Sequence, residues 1–161
     1  TVTAMTATGF TADAVHETIR ATSLQTLRVG TPVQLERAMP ANGRFGGHFV
    51  SGHIDGTARF LSRRPDGEAM EYRFETGEWS KYCIPKGSIA INGTSLTIQH
   101  VEPNSLIISL IPHSRQVTTF DRLQSGALVN IECDLMAKHL YHFTQQEQKT
   151  DWSAFLGGGA G

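Results

Sequence analysis

The chain has 161 residues and a formal net charge of −1, and 39% of its residues are hydrophobic while 18% are charged. This balance is typical of a folded globular protein and excludes a disordered or strongly charged chain. Lysine and arginine form no runs, which argues against nucleic acid or an anionic membrane as the main partner, because both bind through clustered cations.

Short apolar runs, separated by Gly, Pro and Asn-Gly, predict a protein built mainly from short β-strands. In chain order the predicted strands are 1–5, 10–15, 32–37, 48–51, 57–62, 70–75, 88–92, 95–101, 105–111 and 128–133. Asn92 and Gly93 between two of these strands are typical of a hairpin turn. After Asp134 the apolar spacing becomes that of a helix. The fold class is therefore predicted to be all-β with a C-terminal helix.

The sequence contains two copies of one pattern. An ungapped shift of 96 residues aligns Gly30 with Gly126 and Glu36 with Glu132, and the order of strand, loop, threonine-rich turn, glycine turn and strand is shared. The strands that precede the second copy have no counterpart before the first. We therefore expect a chain that begins inside its first module. Two similar six-stranded Greek-key barrels are predicted, with the first incomplete: 1–44 is the second half of the N-terminal barrel, 45–134 the C-terminal barrel and 135–161 the helix and tail.

The stretch RFGGHFVSGHIDGTARF, residues 44–60, is rich in glycine and histidine. His48 and His53 are five residues apart, so in a strand they point to opposite faces and cannot share a metal ion. His53 and Asp55 share a face, but a third ligand is not evident. The glycines indicate that the backbone comes close to another strand or to a flat ligand. The alternative is a glycine-rich barrel corner with a structural histidine.

Polar side chains at strand ends are candidates for ligand binding. Ser95 and Thr97 share one face of a predicted strand and could hold the polar edge of a heterocycle. Ordinary strand hydroxyls are the alternative. In the two modules, His16 and His113 follow equivalent apolar strands, which suggests matching pockets. Pro112 fixes the backbone in the second of these corners.

Four further residues have simple structural interpretations. Lys86 lies at a strand start, where an exposed lysine is ordinary, and Asp134 is suited to cap the C-terminal helix. Cys83 and Cys133 are too far apart in sequence for a CxxC motif. Nothing requires an oxidising compartment, and no apolar stretch approaches the roughly 18 residues of a membrane-spanning helix. We therefore expect a cytoplasmic protein.

Four motifs together resemble riboflavin synthases in order and spacing: GGHFVSGHIDGTA, KGSIAINGTSLTI, LIPHSRQVTTF and GALVNIECDLMAKHL. The resemblance covers nearly the whole chain. It implies two barrels and a C-terminal helix, assembly as a homotrimer, and active sites between the first barrel of one subunit and the second barrel of a neighbour. The implied reaction converts two molecules of 6,7-dimethyl-8-ribityllumazine into riboflavin and 5-amino-6-ribitylamino-pyrimidinedione, without metal or external cofactor.

The resemblance also implies roles for individual residues. His53 corresponds to a candidate proton carrier, which suits a side chain that changes charge near neutral pH. Ser95 lies near the reacting rings and Asp134 close to the site. The other implied substrate contacts are Thr1, Asp13, Ala14, Val15, His16, Glu17, Thr18, Gly52, Ile54, Lys86, Leu96, Thr97, Ile111, Pro112, His113, Ser114, Arg115 and Gln116. The family's first-barrel cysteine would lie two residues before Thr1, outside this sequence. The alternative function is a non-catalytic lumazine- or flavin-binding protein.

Overall fold

The computed structural model describes residues 2–149, so the predicted contact Thr1 and the tail beyond residue 149 lie outside the described residues. The strands are β1 (Val2–Met5), β2 (Phe10–Ala12), β3 (Gly56–Asp66), β4 (Ala69–Glu75), β5 (Ser88–Ile91), β6 (Thr94–Glu102), β7 (Ser105–Leu110) and β8 (Leu128–Cys133). The α-helices are α1 (His16–Ala21), α2 (Pro112–Val117) and α3 (Leu135–Lys149). Short 3₁₀ helices occupy Ser23–Thr26, Gly77–Tyr82 and Phe120–Arg122.

Six strands form a closed antiparallel barrel in the order β3-β4-β7-β6-β5-β8. The pairing of Gly56 with Ile131 belongs to the β3–β8 ladder that closes it. Between β5 and β6, Asn92 and Gly93 both have positive φ, 48° and 80°, as a two-residue hairpin turn of this type requires. The all-β prediction with a six-stranded barrel in the second module is confirmed.

Aromatic rings fill the centre of the barrel. Phe74 is fully buried, with ring centroids 5.6 Å from Phe60 and 6.3 Å from Phe120. Tyr72 is also buried, and its ring lies 5.8 Å from that of Phe120. Burying one such ring contributes roughly 1.5–3 kcal/mol, so this cluster supplies a large share of the stability of the barrel.

The strands of the barrel alternate between a buried inner face and an outer face, as the period of two requires. On β6, Leu96 and Ile98 are buried in the core, with exposed fractions of 8% and 0%. Ser95 and Thr97 therefore point to the outside of the barrel. The outer face of β6, and not the barrel interior, is the surface on which these hydroxyl groups can meet a ligand.

The two copies of the sequence pattern form the same local structure. β1 and β2 pair as a two-stranded antiparallel sheet and correspond to parts of β6 and β7, while α1 corresponds residue for residue to α2. The hydroxyl of Thr22 donates to the backbone carbonyl of Thr18 at 2.6 Å. In the same way, the hydroxyl of Thr118 donates to the backbone carbonyl of Ser114 at 2.6 Å. The internal repeat is confirmed.

Several predicted elements are wrong in extent or type. The strands predicted at 10–15 and 105–111 end at Ala12 and Leu110, because each module then turns into a short helix that the sequence did not predict. The segments 32–37 and 48–51 form no strand. Instead of strand pairing, polar groups of these two segments form hydrogen bonds that involve side chains. Gln34 donates its amide to the carbonyl of Asn92 at 3.1 Å, and Glu132 accepts the backbone N–H of Ser51 at 2.7 Å.

Asn130 joins the first module to the barrel and is itself bonded to Asn92. Asn130 on β8 accepts the backbone N–H of Ser23 at 2.6 Å, and its own N–H donates to the side chain of Asn92 at 2.8 Å. Each bond satisfies a backbone donor with a fixed side-chain acceptor, at a typical net gain of about 1 kcal/mol. The corner that carries α1 is thus held beside the β5–β6 hairpin.

Candidate functional site

The outer face of β6 carries the second-module candidates. Ser95 and Thr97 lie on it side by side, with β5 on one flank and β7 on the other. Lys86, just before β5, donates its backbone N–H to the carbonyl of Ile98 at 2.8 Å. On the opposite flank Ile98 pairs with Ile108, so β7 ends and α2 begins beside the first residues of β6. The tertiary structure therefore brings the hydroxyls, Lys86 and α2 together.

Lys86 has a left-handed backbone conformation, with φ 67°. For a residue with a Cβ atom this conformation costs roughly 1–2 kcal/mol and is found where the surroundings impose it. Its N–H bond to the carbonyl of Ile98 on β6 holds it in this conformation. The sequence alone suggested an ordinary exposed lysine and the family resemblance a substrate contact, whereas its left-handed backbone is visible only in the structure.

The contacts predicted at 111–116 fall on the N-cap and body of α2. Ile111 is extended and exposed, and Pro112 occupies the first helical turn, where its missing N–H costs nothing. His113 and Gln116 are exposed, while Ser114 is partly buried and accepts the hydroxyl bond from Thr118. The exposed residues at the start of this short helix therefore lie beside the first residues of β6.

Arg115, also among the predicted contacts, forms an ion pair of 2.9 Å with Asp121. The same carboxylate accepts a short hydrogen bond from the buried hydroxyl of Tyr72. Burial, followed by the bond to Asp121, raises the pKa of Tyr72 to about 12. Although burial opposes it, hydrogen bonds from Arg115 and Tyr72 leave the pKa of Asp121 below its ordinary value. Arg115 thus fastens α2 to the barrel core.

Leu96 does not offer its side chain to a ligand on the outer face. It is 8% exposed and belongs to the hydrophobic core. Leu96 can therefore contact a ligand there through its backbone alone.

The first-module candidates lie at the corner between β2 and α1. Residues 13–17 are exposed at this corner, whose members are Asp13, Ala14, Val15, His16 and Glu17, and Thr18 is partly buried. Glu17 pairs with Arg20 at 2.6 Å on the helix surface. This corner corresponds to the start of α2 in the second module, which agrees with the prediction of matching sites.

The segment before β3 lies over Ser95, and we call residues 46–52 of this segment the strap. His48 donates its backbone N–H to the hydroxyl of Ser95 at 3.2 Å, and its ring Nδ1 lies 2.8 Å from the same oxygen. A Cβ atom on Gly47 would lie 2.1 Å from that oxygen, so only glycine fits. Nε2 of His48 is buried and has no hydrogen-bond partner among the described residues. The prediction that glycine allows a close backbone approach is confirmed at Gly47.

Sequence reasoning singled out His53 and passed over His48, which is the histidine that contacts Ser95. The signal for His48 was the glycine pair before it, because that pair brings the backbone close to β6. His53 lies at the end of the strap and is exposed. Its ring Nδ1 lies 2.8 Å from the hydroxyl of Ser51. The two histidines thus have different partners: His48, within the strap, contacts Ser95, and His53, directly after it, contacts Ser51.

Glu132 on β8 holds the end of the strap. Its Oε1 accepts the N–H and the hydroxyl of Ser51, both at 2.7 Å, and its Oε2 accepts the N–H of Gly52 at 3.0 Å. Gly52 has a φ of 79°, which favours glycine at this turn. Ile54, the next predicted contact after His53, is partly buried. Sequence reasoning had noticed Glu132 as a repeated residue but assigned it no role.

Asp134 caps α3, as predicted, by accepting the N–H of Met136 at 2.8 Å. Beside it, Asp55 pairs with Lys138 on α3 at 2.8 Å and accepts the N–H of Cys133 at 2.7 Å. The start of α3 is therefore tied to the chain that follows His53. His53, Ser95 and Asp134 bond to different neighbours and do not form a hydrogen-bonded triad.

A domain of known type covers most of the barrel and its outer site. Residues 51–134 match the family model described as the lumazine binding domain. The solved structure of LumP complexed with 6,7-dimethyl-8-(1'-D-ribityl) lumazine has the same fold, with a TM-score of 0.65 at 22% identity over 73% of this chain and 64% of that one. A second structure, LumP complexed with riboflavin, matches with a TM-score of 0.63 at 25% identity over the same shares. The chain is thus a lumazine-binding barrel protein.

Curated relatives narrow this class. The chain is 45% identical to riboflavin synthase from Bacillus amyloliquefaciens over 93% of its own length and 70% of the relative. It is 45% identical to riboflavin synthase from Bacillus subtilis (strain 168) over 97% of its length and 75% of the relative. The enzyme from Actinobacillus pleuropneumoniae is 44% identical over 89% and 67%. The chain belongs to the riboflavin synthase family, whose members are transferases. Within residues 2–149, no helix combines the length and apolar character that crossing a membrane requires.

Proposed function

We propose that the chain carries out the riboflavin synthase reaction, in which two molecules of 6,7-dimethyl-8-ribityllumazine give riboflavin and 5-amino-6-ribitylamino-pyrimidinedione. One observation carries the proposal: Ser95 and Thr97 present two hydroxyls on the outer face of a lumazine-binding barrel, between Lys86 and α2. Hydroxyl groups donate and accept, which suits the alternating carbonyl and N–H groups of a lumazine edge.

The reaction moves a four-carbon unit from one lumazine to the other. The two products together contain the atoms of two substrate molecules, so no oxidant or reductant is consumed. The protein must hold two flat rings in register and move protons between them. Holding two reactants in this way can supply roughly 7–11 kcal/mol of the barrier, which makes positioning the main task of the site.

Proton transfer begins at the C7 methyl group of one lumazine, because the resulting carbanion is delocalised into the ring. His53 is exposed at the end of the strap, and we assign it the role of taking up this proton. Ser95 lies on the outer face of β6, where it can hydrogen-bond to a bound ring once His48 yields. Asp134 places a carboxylate at the start of α3, beside the same end of the barrel.

The two modules would each bind one lumazine, the second on β6 and the first at the corner between β2 and α1. We propose that the reacting pair forms between the first module of one subunit and the second module of a neighbour in a homotrimer. Support comes from α3, which exposes a run of apolar side chains: Leu135 is 43%, Met136 68%, Leu140 62% and Phe143 57% exposed. Such a face is typical of a helix that packs against another chain.

A cytoplasmic location completes the proposal. Cys83 and Cys133 are both buried and both free. Free buried thiols are the usual state in a reducing compartment.

The test is an assay of the natural full-length protein with 6,7-dimethyl-8-ribityllumazine as sole substrate. Riboflavin, followed by its absorbance and fluorescence, is the expected product, with the pyrimidinedione in equal amount. Tight binding of the lumazine with no riboflavin formed would overturn the proposal and support a non-catalytic binding protein.

A further inference from the structure

A buried carboxylate without a cation lies directly behind the candidate proton carrier. Glu132 is 4% exposed, and within residues 2–149 no lysine, arginine or histidine forms an ion pair with it. A charge in this position is costly unless hydrogen bonds compensate it. Its bonds come from the backbone N–H groups of Ser51 and Gly52 and from the hydroxyl of Ser51, at 2.7, 3.0 and 2.7 Å. Both oxygens of the carboxylate therefore accept hydrogen bonds from the end of the strap.

The direction of each hydrogen bond follows from the proton count. Ser51 donates its single hydroxyl proton to Oε1 of Glu132, which also accepts the backbone N–H of Ser51. The hydroxyl oxygen has only lone pairs left for its other neighbour, Nδ1 of His53 at 2.8 Å. Nδ1 must therefore carry the proton in this contact, and it donates to Ser51. This leaves Nε2 as the unprotonated nitrogen of a neutral His53 ring.

The local backbone supports this arrangement. Gly52, between the two side chains, has a φ of 79°, which lets the turn aim its N–H at Glu132 while His53 folds back onto Ser51. The backbone N–H of His53 also reaches the Ser51 oxygen, at 3.3 Å. The Ser51 oxygen thus contacts both the backbone and the Nδ1 edge of His53, whereas Nε2 lies on the far edge of the ring.

We propose that Glu132 and Ser51 are positioning residues that fix His53 as the tautomer with Nδ1 protonated, so that Nε2 receives the proton from the lumazine. The idea rests on the proposed function for its catalytic part. When Nε2 takes up the proton, the C–H bond of the methyl group breaks, its electron pair enters the ring of the lumazine, and the imidazolium keeps its Nδ1–H bond to Ser51. The negative Glu132 behind Ser51 then stabilises the positive ring through the intervening hydroxyl.

The first measurement needs no substitution. The ¹⁵N chemical shifts of the histidine rings in the full-length protein report which nitrogen carries the proton, and His53→Gln identifies the signal of His53. We expect the Nδ1–H tautomer for His53 at a pH where the ring is neutral. A ring with its proton on Nε2 would overturn the proposal whether or not the protein makes riboflavin.

The second measurement is kinetic. Ser51→Ala removes the acceptor for the proton on Nδ1. Glu132→Gln replaces the carboxylate with a neutral amide, which is a weaker acceptor for the hydroxyl proton of Ser51. Both variants are expected to lower kcat for riboflavin formation about 10-fold, to change its pH profile and to leave lumazine affinity within about 3-fold, since general-base catalysis depends on the state of the ring. Ser51→Thr keeps the hydroxyl and should restore both the rate and the tautomer.

Ser105 and Glu102 offer a matched control, because the hydroxyl of Ser105 donates to Glu102 at 2.9 Å with no histidine involved. Ser105→Ala and Glu102→Gln should leave kcat, its pH profile and the His53 tautomer unchanged. Full activity and an unchanged tautomer in Ser51→Ala would overturn the proposal. If the wild-type protein forms no riboflavin but His53 carries its proton on Nδ1, the proposed function fails while the positioning by Ser51 and Glu132 stands.

Discussion

The hydroxyl oxygen of Ser95 lies 2.8 Å from Nδ1 of His48, and the backbone N–H of His48 reaches the same oxygen at 3.2 Å. The strap therefore covers the hydroxyl of Ser95, which the proposed function assigns to a bound lumazine. Nε2 of His48, buried and unpaired among the described residues, leaves this contact incompletely satisfied. Displacing this ring breaks fewer hydrogen bonds, and therefore costs less free energy, than displacing a ring with both nitrogens bonded.

Gly47→Ala tests how tightly the strap lies on β6. The added Cβ would lie 2.1 Å from the oxygen and 2.6 Å from the Cβ of Ser95, so the strap must move. We expect a loss of about 1–3 kcal/mol in the free energy of unfolding, measured by urea titration. Gly46→Ala is the control, because a Cβ there meets nothing within 4 Å. Equal stability of the two variants would show that the strap is not held against Ser95.

His53→Gln tests the assigned proton carrier. An amide of similar size keeps the shape of the side chain but cannot take up a proton, so kcat should fall by about 10²-fold or more while the dissociation constant of the lumazine changes little. Steady-state assays and fluorescence titration measure the two quantities. Similar losses in turnover and binding would instead assign His53 a role in holding the substrate.

Tyr72→Phe tests the attachment of α2 through its pH dependence. The pKa of Tyr72 is raised to about 12 in the folded protein, so its contribution to stability is complete below its ordinary pKa of 10.0 and is lost as the pH rises toward 12. Between about pH 9 and about pH 11.5 the wild-type protein should lose about 2 kcal/mol more unfolding free energy than the phenylalanine variant. Parallel curves for the two proteins would contradict this.

Leu140→Glu tests the proposed assembly through α3. Leu140 is 62% exposed, so a charge is tolerated in a monomer but is costly in a helix packed against another subunit. We expect a shift from trimer to monomer by light scattering, with unchanged β-sheet circular dichroism. His142, also exposed, lies on the opposite side of the helix, and His142→Glu is the control. A trimer that survives Leu140→Glu would place the interface elsewhere.

Much of the fold could be predicted because local rules dominate there. The hairpin at Asn92 and Gly93 follows from the positive φ that both residues adopt, and the repeat placed Gly30 and Gly126 in equivalent turns with φ 86° and 88°. The segment 32–37 was predicted as a strand from the same kind of pattern. It forms none, because a strand needs partner strands and none pairs with it among residues 2–149.

The candidate site was predicted in part. The family motifs in the sequence named Ser95 and His53 as candidates for the reaction, and these roles remain predictions. The sequence also marked Lys86 and the start of α2, and the barrel brings both to the flanks of β6. The sequence did not predict the ion pair that Arg115, one of the implied substrate contacts, forms with Asp121. That pairing depends on a residue whose position only the packing of the barrel sets.

By itself the sequence determined the mainly β fold class, the duplication, the helix after Asp134 and the family. Each of these depends on local periodicity or on contiguous motifs. The tertiary structure alone decided that His48 contacts Ser95 and that Glu132 lies behind Ser51 and His53. His48 and Ser95 are 47 residues apart in the chain, and Ser51 and Glu132 are 81 residues apart. No local pattern encodes such distances, and they arise only when the barrel closes and the strap is drawn across its outer face.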